Sequence, residues 1–521
     1  MPGSEMRARD YLSLFIAGMI FNIILAWFQL APGYMDSDYY YAGGLRLVQG
    51  HGFTETYLWN YLDNPQNLPH PSHAYWYPLA SILSAAGMFL FGKNTFWAAR
   101  SGFILAASLV SPITAYLGYK ISGKRGAGIT AGLLAIFCGY HAPFLPTTDN
   151  FGIYLLLGGI FFLLILEKGK KARLGLGLVI GLMNLARVDG IIWLALAILS
   201  VVYLGLSQKP KVNYSSLMLS ILTILLGYSL VMAPWFIRNM LTWGTPLTPS
   251  GSNVIWMTKY EDTFAWPAAR INMANWLNTG IRAAMDARLY AMKLNGINTI
   301  AAQFAFILFP FSLIGIWVLR KDFRVLLAVL GWIILFFVMS IIFPFAGSRG
   351  SFFHSAAALQ PLWIVCAVMG VDALHSSIRI RKRFIGSTPG LFRTALVFAM
   401  MLLTFFLSYT AIVDRKWNQF KDNYDLAENI LIQHGAGPGD VVLTANSPGY
   451  FAETGRSAVI VPDENLEGVL LLAKKFNARY LILEKTYVSD ALKFIFENPQ
   501  GKSGLTLIGE SENVRVFQIK P

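Results

Sequence analysis

Long apolar runs separated by short basic loops fill the first 414 residues of the chain. Many approach or exceed the roughly 18 to 20 residues that a helix needs to cross a bilayer. The pattern predicts about eleven spans, within a range of 11–13: 11–31, 95–119, 127–144, 150–166, 173–187, 190–206, 215–236, 297–319, 324–344, 354–374 and 391–412. The loops between them alternate in charge. One set holds Arg7 and Arg9, then Lys120, Lys124 and Arg125, then Lys168, Lys170, Lys171 and Arg173. It continues with Lys209 and Lys211, then Arg320, Lys321 and Arg324, then Arg379, Arg381, Lys382 and Arg383. The positive-inside rule puts this set and the N-terminus in the cytoplasm. The long segments 32–94 and 237–296, the loops at Asp149 and Arg349, and the C-terminal residues then lie outside it.

Two apolar stretches test that count. The first run, Tyr11 to Leu30, follows Arg7 and Arg9. A cleaved signal peptide has a shorter apolar core and a small-residue cleavage site. This run is long enough to span and others follow, so it reads as a retained first helix. Residues 78–92 (PLASILSAAGMFLFG) fall short of bilayer thickness. If they crossed, Lys120–Arg125 would flip outside, so they read as an interfacial or re-entrant helix on the outer side.

From residue 415 the pattern changes. Short β-rich runs (Val441–Ala445, Ala458–Val461, Arg479–Glu484, Leu505–Ile508, Val514–Ile519) alternate with helical stretches (Tyr424–Gln433, Leu466–Phe476). That alternation predicts a small soluble α/β domain over 415–521, attached to a membrane domain over 1–414. Its glycine-rich GAGPGD (Gly435–Asp440) follows a helix and precedes a strand. A dinucleotide fingerprint follows a strand and opens a helix, so this one reads as a helix C-cap and turn.

Composition agrees with the pattern. The 521 residues are 55% hydrophobic and 13% charged, where soluble proteins are about 25% charged. A net charge of +14 raises nucleic acid as a partner. The basic residues sit in short loops between apolar runs, which excludes it in favour of membrane topology. The two cysteines, Cys138 and Cys366, lie in apolar runs and are too few for a disulfide scaffold.

The residues capable of chemistry gather on the predicted outer face. Asp36 and Asp38 follow the first span in GYMDSDYYY. A carboxylate held at a membrane surface is partly desolvated, which raises its pKa and suits a general base. An interfacial acid beside a tyrosine belt (Tyr39, Tyr40, Tyr41) is the plainer alternative. Asp149 in PTTDNFG is a second outer acid or a helix N-cap. Arg187 and Asp189 mark a bound headgroup or close a turn as an ion pair. Arg238 (PWFIRN) and Arg349 (AGSRGS) break the positive-inside bias, and a phosphate would explain them. His354 could contact phosphate or a sugar hydroxyl, or cap a helix. His70 and His73 lack the spacing of a helical zinc site, whereas Asp36, Asp38 and Asp149 could hold a divalent cation through oxygen.

This constellation resembles the GT-C superfamily of lipid-linked-sugar glycosyltransferases. It is most similar to the group of protein O-mannosyltransferases and the lipid A aminoarabinose transferase. The residues that carry the resemblance are the acids after the first span, the Phe91–Gly92 helix end, Arg100 in FWAARSG, Asp149, Arg187, and Pro234–Pro246 (PWFIRN…WGTP). Ser37 stands where that group has its second acid, and Trp76-Tyr77-Pro78-Leu79 replaces its histidine- or lysine-Pro-Pro-Leu element. The resemblance implies a polytopic helical plasma-membrane enzyme that moves a sugar from a polyprenyl phosphate to an acceptor hydroxyl outside the cytoplasm, with inversion. It also implies Asp36 or Asp38 as base, Asp149 as a helper, and Arg187, Arg238, Arg349, His354 and His70 near phosphate or sugar. The acceptor could be protein, lipid or glycan. A lipid-linked-sugar flippase is the rival; transporters place charge at the bilayer midplane and often show paired halves, neither of which this sequence displays.

Overall fold

The computed structural model describes residues 5–207, 213–380 and 389–520. Lys209, Lys211, Arg381, Lys382 and Arg383 lie outside the described residues. The protein is a multi-pass, mostly helical membrane protein with an α/β lobe at its C-terminal end. Each of the eleven predicted spans contains a helix. Among the described residues seven helices are long and apolar enough to cross a membrane, or eight if the bent pair Gly280–Gln303 and Leu308–Val318 is one span. The count of full-length spans is therefore lower than the predicted eleven. Arg125–Ile136, Phe151–Leu164 and Lys170–Ala186 are too short. Pro143, which lacks an N–H, sits in a 3-10 turn over Gly139–Phe144 that interrupts the predicted span 127–144.

The predicted straight span 297–319 also needs correction. Its helix starts at Gly280 inside the expected loop 237–296, and the chain then turns by 90° before Leu308. Ala305 and Phe306 adopt positive φ at that corner, and both run against the steric preference of L-residues. Helix Tyr214–Trp243 likewise extends past its predicted end at 236.

Small residues let the helices approach closely. A Cβ at Gly177 would collide with the Ile224 carbonyl oxygen, and one at Gly315 with that of Cys366. Close backbone contact of this kind supplies packing where lipid gives helices no hydrophobic reason to associate. Basic residues near the loop at 120–125 pair with acids from neighbouring elements. Arg125 clasps Asp10 bidentately, at 2.7 and 2.8 Å, and Lys120 pairs with Glu167.

At the end away from Asp10 the chain leaves α1 (Ala8–Trp27) and enters α2 (Met35–Val48). The predicted interfacial helix is α3 (Leu79–Phe91), which ends at Gly92 with φ 61°. Its last turn exposes Phe89, Leu90 and Phe91. Between α2 and α3, strand β1 (Thr54–Glu55) pairs antiparallel with β3 (His70–Pro71). β2 (Tyr57–Leu58) leaves this segment to join the C-terminal sheet.

That sheet contains β4 (Val441–Thr444), β5 (Ala458–Ile460), β6 (Ala478–Glu484), β7 (Leu505–Glu510) and β8 (Val514–Ile519), one in each of the five predicted β-runs. The order is β2-β5-β4-β6-β8-β7, with β2, β5, β4 and β6 parallel and the last two pairings antiparallel. GAGPGD is a helix end and turn: Gly435 takes φ 80° and Asp440 accepts from the Gly437 N–H at 2.8 Å. The sheet thus draws one edge strand from far upstream in the chain. The Tyr61 hydroxyl also donates to the Ile460 carbonyl, and Trp417 Nε1 donates to the Ala31 carbonyl at 3.0 Å.

Substituting Gly315 by alanine should push helix Leu308–Val318 off helix Gln360–Ile380. Overpacking of this kind costs about 1–3 kcal/mol. The expected outcome is a lower melting temperature in detergent, read by tryptophan fluorescence, with the fold retained.

Candidate active site

α2 begins straight after a turn at Gly33, where φ is 86°. Asp36 and Asp38 lie in its first turn, where the helix macrodipole favours negative charge. Residues two apart on a helix point about 200° away from each other, and this separates the two acids. Asp36 lines a cleft of about 1060 Å³ between the membrane unit and the C-terminal sheet. Asp38 turns away and is buried, accepting from Asn446 Nδ2 at 2.7 Å. The two aspartates therefore do not share a site. Tyr39, Tyr40 and Tyr41 are buried as well, so they form packing around α2 and not an exposed belt.

Asp149 meets Asp36 from the segment that precedes helix Phe151–Leu164. Ser37 and Thr148 fasten this segment to α2: the Thr148 N–H donates to Ser37 Oγ at 3.1 Å and the Thr148 hydroxyl to the Ser37 carbonyl at 2.7 Å. Asp149 is 1% exposed. It is not the N-cap, a position held by Asn150. Its Oδ1 accepts from the Asn150 N–H at 2.6 Å. Its Oδ2 accepts from the Tyr34 hydroxyl at 2.8 Å and faces His354 Nε2 at 2.9 Å.

His354 arrives from the start of the long helix Pro344–Ser377. Its Nδ1 faces the Gly350 carbonyl at 2.9 Å, and a carbonyl only accepts. Nδ1 therefore carries a proton. Nε2 faces the Asp149 carboxylate, with Asp36 Oδ2 at 3.7 Å. Acceptors on both sides favour the doubly protonated imidazolium. Phe151 stacks on the ring at 3.9 Å and fixes its plane.

Arg187 adds a second positive charge. Its Nε donates to Asp189 at 2.9 Å and its Nη2 to the Ser351 carbonyl and Ser355 hydroxyl, both at 3.3 Å. The arginine thereby holds the strand of chain that carries His354. Arg349 is exposed at the mouth of the cleft, 4.8 Å from the Tyr260 ring centre and 3.9 Å from Glu261.

These charges split the two carboxylates. Burial and the nearby Asp149 push the Asp36 pKa up to about 6, while His354 and Arg187 oppose the rise. Asp149 is also buried, but its charge and hydrogen-bond contacts with His354 outweigh that and hold it below the usual carboxylate range. One carboxylate is committed to the imidazolium; the other keeps about 30% of its side chain exposed and can take a proton near neutrality.

Two predicted residues lie elsewhere. Arg238 Nη2 donates to the Phe53 and Ser72 carbonyls at 3.1 and 2.9 Å, and its guanidinium lies over Trp243 at 4.2 Å. It pins the segment between α2 and α3. His70 pairs with Asp63 at 2.7 Å within that same segment. Neither side chain lines the cleft. Tyr34, Asn446 and Glu484 were not anticipated as part of the site. Tyr34, two residues before Asp36, was the legible one; the other two depend on how the C-terminal sheet docks.

Asp36, Asp149 and His354 are the one group among the described residues that could hold a metal ion, with ligand atoms within 4.8 Å of one another. With Nδ1–H tied to Gly350, Nε2 is free to serve as a ligand once deprotonated, so a mixed nitrogen and carboxylate set fits a divalent cation. Asp38 does not belong to this set.

Known proteins supply the context. Residues 70–237 match a family profile described as dolichyl-phosphate-mannose-protein mannosyltransferase. The crystal structure of apo ArnT from Cupriavidus metallidurans superposes with a TM-score of 0.57 at 13% identity, covering 98% of each chain. The oligosaccharyltransferase AglB from Archaeoglobus fulgidus, solved with an inhibitory peptide and a dolichol-phosphate, gives a TM-score of 0.56 at 13% identity. That match covers 91% of this chain and 69% of the archaeal one. No curated protein sequence matches. The chain resembles the mannosyltransferase group over the matched segment and has the fold of these GT-C proteins.

Arg187→Gln removes a positive charge that lowers the Asp36 pKa. The carboxyl infrared band of Asp36, titrated in nanodiscs, should then appear at a higher pH than in the wild type. An unchanged or lower titration point would show that Arg187 does not act on Asp36.

Proposed function

We propose that the protein transfers a sugar from a polyprenyl-phosphate carrier to an acceptor hydroxyl, with inversion, on the extracytoplasmic side of the membrane. The observation that carries this reading is Asp36: a carboxylate of raised pKa that lines a cleft beside the His354 imidazolium, with Arg187 acting on its charge and Arg349 lining the same cleft. A base poised near neutrality is what removal of a hydroxyl proton needs. The neighbouring cations are what a leaving phosphate needs. The family match and the shared fold support the same class.

In this reading the acceptor oxygen attacks the anomeric carbon while its proton passes to an Asp36 oxygen. The bond between the anomeric carbon and the phosphate oxygen breaks, and its electron pair leaves on the phosphate. His354 and Arg349 meet the growing negative charge. Asp149 keeps His354 protonated and oriented, and Arg187 holds the chain that carries it. Were a divalent cation held by Asp36, Asp149 and His354 instead, His354 would bind it through a deprotonated Nε2, and the cation would take the imidazolium's place as the positive charge beside the leaving phosphate. The lipid tail stays among the apolar helices.

The orientation follows from charge. The loops with Arg7, Lys120–Arg125, Lys170–Arg173 and Arg320–Arg324 face the cytoplasm with the N-terminus. Residues 1–414 form the catalytic membrane domain, and 415–521 an extracytoplasmic lobe that covers the cleft.

Asp36→Asn keeps the shape and removes the base. Transfer of radiolabelled sugar in proteoliposomes should fall by about 10²–10⁴-fold, the usual worth of general base catalysis, while the polyprenyl-phosphate sugar still binds. The wild-type rate should decline as pH drops through about 6, because Asp36 must be ionised to accept a proton. Transfer by Asp36→Asn at the wild-type rate would contradict the assignment.

A further inference from the structure

The C-terminal lobe has the connectivity of a doubly wound sheet. From β4 the chain passes through helix Ser447–Thr454 to β5 on one side, then through helix Leu466–Phe476 to β6 on the other. The two helices cover opposite faces. Tyr450 packs with Val442, Ala458 and Tyr480, whereas Val469 and Leu472 pack with Leu443, Val459 and Leu481. The strand order therefore reverses between β4 and β6. In such sheets the crevice beyond the carboxyl ends of the strands at that point is where ligands bind. Here it opens into the Asp36 cleft, whose wall includes Asn446 after β4 and Glu484 at the end of β6.

Glu484 supplies an independent observation. It is 1% exposed, and neither carboxylate oxygen makes a hydrogen bond. Asn423 and Thr444 lie beside it without reaching hydrogen-bond geometry. A buried, unsatisfied carboxyl costs free energy that a packed core would avoid. The cost is offset when a ligand donates to both oxygens. Burial pushes the Glu484 pKa up to about 7, so the group can meet a neutral ligand without carrying a full charge.

The rest of the cleft narrows the ligand class. Asp36, Glu261, Asp463, Glu464, Glu484 and Asp490 line it, and the cations beside them are already paired: Arg349 with Glu261, Lys259 with Asp463, Arg270 with Glu464 and Lys493 with Asp490. That balance disfavours an anionic ligand on this wall. Tyr260, Phe264 and Tyr487 add flat apolar ring surfaces, which suit the C–H faces of a pyranose ring. Two free carboxylate oxygens suit two adjacent hydroxyls.

We infer that the crevice at Glu484 and Asn446 is the acceptor subsite, and that the acceptor is a saccharide. The inference rests on the proposed transfer reaction. In it Glu484 accepts hydrogen bonds from hydroxyls next to the reacting one, and the sugar ring lies between the lobe and Asp36.

The test offers purified enzyme in proteoliposomes a labelled polyprenyl-phosphate sugar with two acceptor panels, neutral oligosaccharides and Ser/Thr peptides. Wild type should glycosylate a saccharide. Glu484→Gln should raise its KM by more than tenfold with kcat changed less than threefold, and Glu484→Asp should recover part of the loss. An unchanged affinity for the polyprenyl-phosphate sugar in both variants reports an intact fold. Transfer to peptides alone, or an unchanged saccharide KM in Glu484→Gln, would overturn the subsite. Failure of wild type to cleave any polyprenyl-phosphate sugar would instead remove the proposed reaction, and this inference with it.

Discussion

The contact between Asp149 and His354 is the one on which the rest of the site depends. It joins two segments far apart in the chain, Asp149 just before helix Phe151–Leu164 and His354 within helix Pro344–Ser377, and it buries a full charge on both sides. A buried ion pair is tolerated only when its remaining polar atoms are satisfied. Here Tyr34, the Asn150 N–H and the Gly350 carbonyl satisfy them. Once the pair is formed, Asp36 is left beside an imidazolium whose charge is already committed. That geometry separates two chemically identical carboxylates into a held anion and a group available for proton transfer.

The second constraint is the rotation of α2. One helix directs Asp36 into the cleft and Asp38 into the C-terminal lobe. The same helix therefore carries the candidate base and anchors the lobe that forms the far wall. Gly449 allows the approach, since a side chain there would run into the Asp38 carboxylate. β2 and the Trp417 contact with Ala31 add to this anchoring. The lobe is thus tied to the membrane unit at several points, and the cleft between them has a defined shape. Arg238 acts one layer further out, holding the segment between α2 and α3 through two backbone carbonyls.

Much of this was legible in the sequence, for identifiable reasons. Transmembrane helices announce themselves through long apolar runs, and loop charge gives a consistent alternation. The strands of the lobe stood out as short β-branched runs between turn residues, and β4 to β8 fall in those runs. Helix length was harder to read. The corner at Ala305 and Phe306 and the break at Pro143 are local conformations inside apolar runs. The side-chain partners were harder still. Asp36 and Asp38 look equivalent until the helix is built, because their separation comes from helical geometry. Arg238 and His70 had the chemistry of ligand-binding groups, but their partners are backbone carbonyls and Asp63. Glu484 had no signal, since it ends a strand whose neighbours, β4 and β8, come from other parts of the chain.

The proposed reaction is a single displacement: one base, one attacking hydroxyl and one leaving phosphate, with no covalent sugar on the protein. The most direct test is the stereochemistry of the product. The anomeric configuration of the transferred sugar would be read by proton NMR and compared with that of the lipid-linked donor. Inversion is the result predicted for attack assisted by Asp36. Retention would require a double displacement or a front-face route, and would contradict the mechanism built on this site.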